Sequence, residues 1–276
     1  MSAPKQNFLI VKLSSIGDIV HALPFLRTLR KHHPKAHISW IIEERFHELI
    51  KHNPDLDEVL PVRIKHWRKN INADSWREIS KTRQLLKDRK FDWTFDLQGL
   101  IKTGVIARMT GAPNRAGFHR NNCREKMNAW FNNRHSKYVP PGGHVTDLCL
   151  SQLSVMGNFL AQAEFPLTIL AEDEQVAKTF MQENPELKTK PVAGINPGAG
   201  FPTKLWSLER YAELADRLVS EMGFNILLTW GPGEEDMVRE IASMMKQKSW
   251  TAPATTIAQS IGLYKKLSLF VGSDSG

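Results

Sequence analysis

The 276-residue chain has little cysteine, with Cys123 and Cys149 far apart in sequence. Without a CxxC pair or a Cys/His cluster they exclude a zinc site and read as reduced thiols of no catalytic consequence. No apolar run approaches the roughly 20 residues a bilayer-spanning helix needs, and the first residues lead straight into a short apolar segment with no cleavage pattern. The chain is therefore expected in the cytoplasm, touching a membrane from that side at most. The ten histidines lack HExxH spacing, so no metal centre is expected. Nor is there a GxxxxGK[ST] run, which speaks against a P-loop ATPase. Gly198-Ala199-Gly200 and Gly231-Pro232-Gly233 each begin a dinucleotide fingerprint, but Thr203 and Asp236 stand at the third glycine site. Internal repeats and low-complexity tracts are absent as well.

What is present describes a soluble globular protein, 41% hydrophobic and 24% charged, long enough for two α/β domains. Its charge is unevenly placed. Residues 1–163 hold 26 basic against 14 acidic side chains, and residues 164–276 hold 11 against 15, so the halves carry +12 and −4. Such asymmetry implies an anionic partner for the first half. The densest basic stretches run from Arg63 to Lys90 and from Arg115 to Lys137. Solvated helix faces account for much of this, but less well for Arg63, Lys65, Arg68 and Lys69, which read as a loop with Trp67 among the cations.

Apolar runs alternate with amphipathic segments, the pattern of βαβ units in a mainly parallel sheet. Strands are predicted over 8–13, 37–43, 58–62 and 91–97, and helices over 19–31, 45–52, 75–90 and 100–109. A basic, poorly periodic region over 115–141 leads to a helix near 145–159. The pattern then restarts, with helices over 172–182, 208–222 and 234–245 and strands over 192–196, 225–230, 255–257 and 269–272. Two doubly wound α/β domains follow, 1–163 and 164–276, with the boundary near 162–168.

Asp18 stands in Ser14-Ser15-Ile16-Gly17-Asp18, between the first strand and the first helix. In an open α/β sheet ligands bind beyond the carboxyl ends of the strands, which delivers Asp18 to a candidate active site. On residue type alone the helix cap is the favoured reading of Asp18. On residue type alone Lys204 reads as an ordinary exposed lysine. Glu235 sits in a first helical turn, where carboxylates complement the helix dipole. Gly198, Ala199 and the nearby Thr203 form a turn whose backbone N–H groups suit a phosphate.

The run Ser14 to Pro24 (SSIGDIVHALP) resembles the N-terminal signature of the lipopolysaccharide heptosyltransferases of glycosyltransferase family 9. Four further stretches agree in order and spacing: Arg63 to Lys69, Phe95 to Lys102, Lys204-Leu205-Trp206, and Gly272-Ser273-Asp274-Ser275-Gly276. The resemblance spans almost the whole chain. It implies the GT-B fold, two Rossmann-like domains facing a cleft, with acceptor on the first and sugar nucleotide on the second. It also implies that the C-terminal domain is incomplete, because family members continue past the motif at Gly276, and this puts activity in question.

The implied reaction is inverting transfer of heptose from ADP-L-glycero-D-manno-heptose to a Kdo residue of Kdo-lipid A. The enzyme would be a monomer, peripheral on the cytoplasmic face of the inner membrane, with no metal and no cofactor beyond the donor. By resemblance Asp18 is the general base and Lys204 the cation on the leaving diphosphate. Gly198, Ala199, Thr203, Glu235, Asp274, Ser275 and Gly276 meet the donor. Arg63, Lys65, Arg68, Lys102 and Arg124 meet the anionic acceptor. One departure stands out, since the family's loop at Gly198 and Ala199 carries hydroxyl side chains and this one does not. Within the family, heptosyltransferase II or a later sugar transferase is the alternative. From another class, a basic nucleic-acid-binding protein is suggested by a pI of about 9.5. No helix-turn-helix, zinc-finger, RRM or KH pattern supports it, and no nucleic-acid partner is expected.

Overall fold

The computed structural model describes residues 6–157, 159–160 and 163–273. The chain divides into two compact units, Met1–Thr168 and Ile169–Gly276. The first holds strands β1 (Asn7–Val11), β2 (His37–Glu43), β3 (Glu58–Val62), β4 (Trp93–Asp96), β5 (Asn114–Gly117) and β6 (Arg134–His135). Its helices are α1 (Ile16–Val20), α2 (Leu23–His32), α3 (His47–Ile50), α4 (Ile64–Lys69), α5 (Ala73–Asp88), α6 (Ile101–Met109) and α7 (Val145–Ser151). The second holds β7 (Val192–Asn196), β8 (Asn225–Leu228), β9 (Ser249–Thr251) and β10 (Leu269–Gly272), with α8 (Ala171–Glu183), α9 (Leu208–Ser220), α10 (Glu235–Met244) and α11 (Ile257–Tyr264).

Both sheets are parallel throughout, as the alternation of apolar runs and amphipathic helices required. Strand order in the first is β3-β2-β1-β4-β5-β6, the order of a dinucleotide-binding fold. In the second it is β10-β7-β8-β9, the same order over four strands. Each sheet thus reverses direction beside its first strand, at β1/β4 and at β7/β10, and loops leaving these strands open a crevice there. The β1 residues Phe8 to Val11 are fully buried, consistent with helices on both faces. Trp40 on β2 is also fully buried and donates its indole N–H to Lys12 O at 2.9 Å.

Several boundaries differ from expectation for identifiable reasons. The helix expected over 19–31 is two helices, because Pro24 has no N–H to continue the ladder and the chain restarts at Leu23. The supposed loop over 63–69 is helix α4. Strands β5 and β6 lie inside the region read as aperiodic. β5 is held beside β4 by backbone pairing from Trp93/Asn114 to Phe95/Ala116. The helix expected over 145–159 is α helix only to Ser151, followed by a 3-10 turn over Gln152–Val155. The strand expected at 255–257 lies instead at β9, and Thr256 caps α11. Its hydroxyl accepts from Gln259 N at 3.2 Å while Gln259 Oε1 accepts from Thr256 N at 3.0 Å, a capping box overlooked in the pattern.

Candidate active site

In the first unit the crevice between β1 and β4 is built from buried polar groups. β1 runs out of apolar residues at Lys12, whose side chain is only 4% exposed. Its Nζ donates to Leu97 O at 2.7 Å and lies 3.8 Å from Asp18 Oδ1. Asp18, itself 12% exposed, is the third residue of α1, and its Oδ2 accepts from Ser15 N at 3.2 Å. Arg124 meets the other side of the carboxylate, with Nη2 3.0 Å from Oδ1 and 3.3 Å from Oδ2. Capping and catalysis are therefore compatible uses of Asp18, since the N–H engages one oxygen and both cations reach the other.

The loop after β4 braces this arrangement. Gln98 Oε1 accepts from Leu13 N at 2.8 Å and its Nε2 donates to Ser14 O at 2.7 Å, tying the loop before Asp18 to the neighbouring strand. Gly99 has φ of +69°, and a Cβ there would press on Cys123 Cα at 3.3 Å, so only glycine lets the Arg124 segment approach. Asp96 below is fully buried. Its oxygens accept from Gln98 N at 3.0 Å, Gly99 N at 3.2 Å, Thr103 Oγ1 at 3.0 Å and Asn128 Nδ2 at 2.5 Å. Burial raises the Asp96 pKa above the usual carboxylate range, and these donors offset only part of that rise.

His21 faces His144, their rings 5.0 Å apart and near perpendicular. Burial and then the His144 ring push the His21 imidazole below its ordinary 6.5, Asp18 pulls it up, and Lys12 pushes it down. Lys12, Gln98 and Asn128 were not singled out from the sequence. A lysine ending the all-apolar run Phe8 to Val11 was the available signal for the first.

The five cations expected at the acceptor do not converge. Arg124 is on Asp18. Arg63 pairs with Glu44 at 3.5 Å and Glu78 at 3.4 Å, and it shares a hollow with Lys65, Glu43 and Lys69. Arg68 and Lys102 line a separate apolar groove. Trp67 is not displayed among the cations. It packs against the core with its N–H donated to Glu78 Oε2 at 2.6 Å.

In the second unit the equivalent crevice is made of turns. Gly198 N donates to Asn196 Oδ1 at 3.0 Å after β7. Thr203 and Lys204 lie exposed in the turn Pro202–Lys204 before α9. Glu234 folds back at the start of α10, where its Oε2 accepts from Gly231 N at 2.8 Å. A Cβ on Gly198 would collide with this carboxylate, so the glycine is needed for close approach. Glu235, the acid favoured from the sequence, instead pairs with Arg239 at 2.6 Å, and Ala199 is half-buried beside Gly198. At the end of β10, Ser273 Oγ lies 2.8 Å from Tyr211 Oη and 3.3 Å from Pro197 O, tying that strand end to the glycine turn. Asp274, Ser275 and Gly276 lie outside the described residues.

Two Rossmann-like units, each with a loop-built crevice at its switch point, make this a GT-B type fold. A solved structure of E. coli heptosyltransferase WaaC with ADP-2-deoxy-2-fluoro heptose shares it, with a TM-score of 0.79 and 23% identity over 98% of this chain and 83% of that one. The chain belongs to glycosyltransferase family 9 (heptosyltransferase), whose profile matches residues 79–276. It is 30% identical over 240 residues to lipopolysaccharide heptosyltransferase 1 of Pseudomonas aeruginosa, covering 82% of this chain and 61% of that protein. This chain thus spans less than two thirds of that relative. Lipopolysaccharide heptosyltransferase 2 of Escherichia coli strain K12 is 23% identical over 98% of this chain and 78% of its own length. Among the described residues, no helix is long and apolar enough to cross a membrane.

Proposed function

We propose that the protein transfers heptose from ADP-L-glycero-D-manno-heptose to the Kdo sugar of Kdo-lipid A with inversion at the anomeric carbon. The observation that carries this is Asp18, a carboxylate held at the β1/β4 switch point between buried Lys12 and half-exposed Arg124. Asp18 takes the proton of the acceptor hydroxyl as that oxygen bonds to the anomeric carbon. The bond from that carbon to the ADP oxygen breaks, and its electron pair leaves with the diphosphate. A carboxylate serves as base because the hydroxyl grows acidic as its new bond forms.

The first unit takes the acceptor and the second the nucleotide. Lys204 neutralises charge developing on the diphosphate, aided by the backbone around Gly198, Ala199 and Thr203. Glu235 holds the ribose by giving up Arg239, and Asp274, Ser275 and Gly276 complete the donor site. Arg63, Lys65, Arg68, Lys102 and Arg124 meet carboxylates and phosphates of the acceptor. The enzyme acts as a monomer on the cytoplasmic face of the inner membrane, with no metal or cofactor beyond the donor, so chelation by EDTA should leave turnover unchanged. The similarity to a heptosyltransferase 1 supports the Kdo acceptor, and the similarity to a heptosyltransferase 2 supplies the competing choice.

Asp18→Ala should lower turnover by about 10²–10⁴-fold, the usual share of a general base. ADP affinity in calorimetry should stay within about threefold, because the nucleotide sits on the other unit. Unchanged turnover removes the assignment of the base. Parallel assays with Kdo-terminated and heptose-terminated acceptors decide between the two acceptors, and preference for the latter overturns the first.

A further inference from the structure

Helices α4, α5 and α6 leave between them a groove of about 510 Å³, whose apolar lining beyond Arg68 and Lys102 is given no part in the transfer reaction. Its wall is apolar and open to solvent. Ile71 is 79% exposed, Trp76 63% and Val105 38%, a concentration of displayed apolar surface that soluble proteins keep for binding. Arg68 and Lys102 are the only charged residues lining it among the described residues, and no carboxylate does. We infer that this groove takes one acyl chain of an anionic phospholipid of the bilayer, with Arg68 and Lys102 on its phosphate.

Two features select this occupant. A nucleic acid would satisfy the two cations but leave the apolar wall wet. A second copy would bring the like charge of a unit carrying +11 against itself. A phospholipid matches both parts, since its chain fills an apolar slot within the size range of small-molecule pockets. Its phosphate meets side chains whose long stems lie along apolar surface with the charge at the rim. The inference shares Arg68 and Lys102 with the acceptor reading above, so it is tested by binding to vesicles that contain no acceptor, where its failure and a failure of the transfer reaction are told apart.

The test uses the full chain and vesicles of phosphatidylcholine with or without phosphatidylglycerol, free of glycolipid. Vesicles containing phosphatidylglycerol should bind, and brominated acyl chains should quench tryptophan emission, with most of the quenching lost in Trp76→Phe. Val105→Asp should weaken binding about tenfold. Ile71→Ser, at a site too exposed to affect folding, should weaken it by about threefold. Lys102→Gln should weaken it by about fivefold, while exposed Lys87→Gln, outside the groove, should change it by less than about twofold.

Equal losses for Lys87→Gln and Lys102→Gln, with Val105→Asp and Ile71→Ser binding as the parent does, would reduce the contact to charge adsorption and overturn the site. Absence of quenching by brominated chains would do the same. So would a dimer in sedimentation that Ile71→Ser dissolves, since the groove would then hold a second copy.

Discussion

The two units share a strand order yet equip their switch points oppositely. At β1/β4 the crevice holds polar and charged side chains taken out of water: Lys12, Asp18, and below them Asp96. At β7/β10 it holds backbone, with Gly198 and Gly231 around the returned carboxylate of Glu234 and with Lys204 displayed on a turn. Net charge follows the same division, +11 over Met1–Thr168 and −3 over Ile169–Gly276. The contrast teaches that one topology supplies only the position of a crevice. Its chemistry comes from whether the loops bring charged side chains or exposed N–H groups. A crevice of fixed side-chain charges suits a group that must be held in one orientation, and a glycine crevice suits a ligand bearing its own charge.

Breaking the first crevice should cost most. Lys12→Met removes the buried donor to Leu97 O and one of the two cations beside Asp18, and stability in urea should fall by about 2–3 kcal/mol. A loss below about 1 kcal/mol would show that the buried ion pair does not distinguish this unit. Gly198→Ala tests the second crevice. A methyl there meets Glu234, and overpacking should cost about 1–3 kcal/mol while displacing that carboxylate from Gly231 N. Thermal unfolding and ADP calorimetry measure the two effects, and a neutral result would mean that the turn yields freely.

Gln98→Ala sharpens the comparison within the first unit. Leu13 N and Ser14 O lose their partner, which should cost about 1–2 kcal/mol. Because Gln98 positions the segment leading to Asp18, turnover should fall with little change in KM, and Gln98→Glu should restore part of it. The smallest expected effect is a titration. Because the His21 pKa is lowered in the folded protein, the unfolded chain takes up the proton first, and stability should decline as pH drops below about 6.5. The decline stops below the folded pKa. Asp18→Asn should lower the His21 pKa further and His144→Gln should raise it, as read from imidazole NMR shifts. Opposite movements would break the electrostatic picture of this crevice.

Much of this was legible without coordinates. Continuous apolar runs such as Phe8 to Val11 and Ile226 to Leu228 signal buried parallel strands because both of their faces are covered. Asp18 was placed at a strand end by the same logic. What escaped were elements stabilised by distant partners. β5 and β6 are short and without periodicity, and they are strands only because β4 offers β5 an edge and β5 offers one to β6. Trp67 beside lysines looked like a binding residue until Glu78 and the core accounted for it.

The amino-acid pattern alone determined two parallel α/β units, the charge imbalance between them, and the carboxylate after the first strand, because period and composition are local properties of a chain. Only tertiary structure decided that Lys12 and Arg124, separated from each other by most of the first unit's sequence, both meet Asp18. It also decided that Gln98 anchors the preceding loop, that Glu234 rather than Glu235 lies on the glycine turn, and that Arg68 and Lys102 stand apart from Arg63. Those pairings depend on which strands lie side by side and how closely glycines let their loops approach, and packing sets both across long stretches of chain.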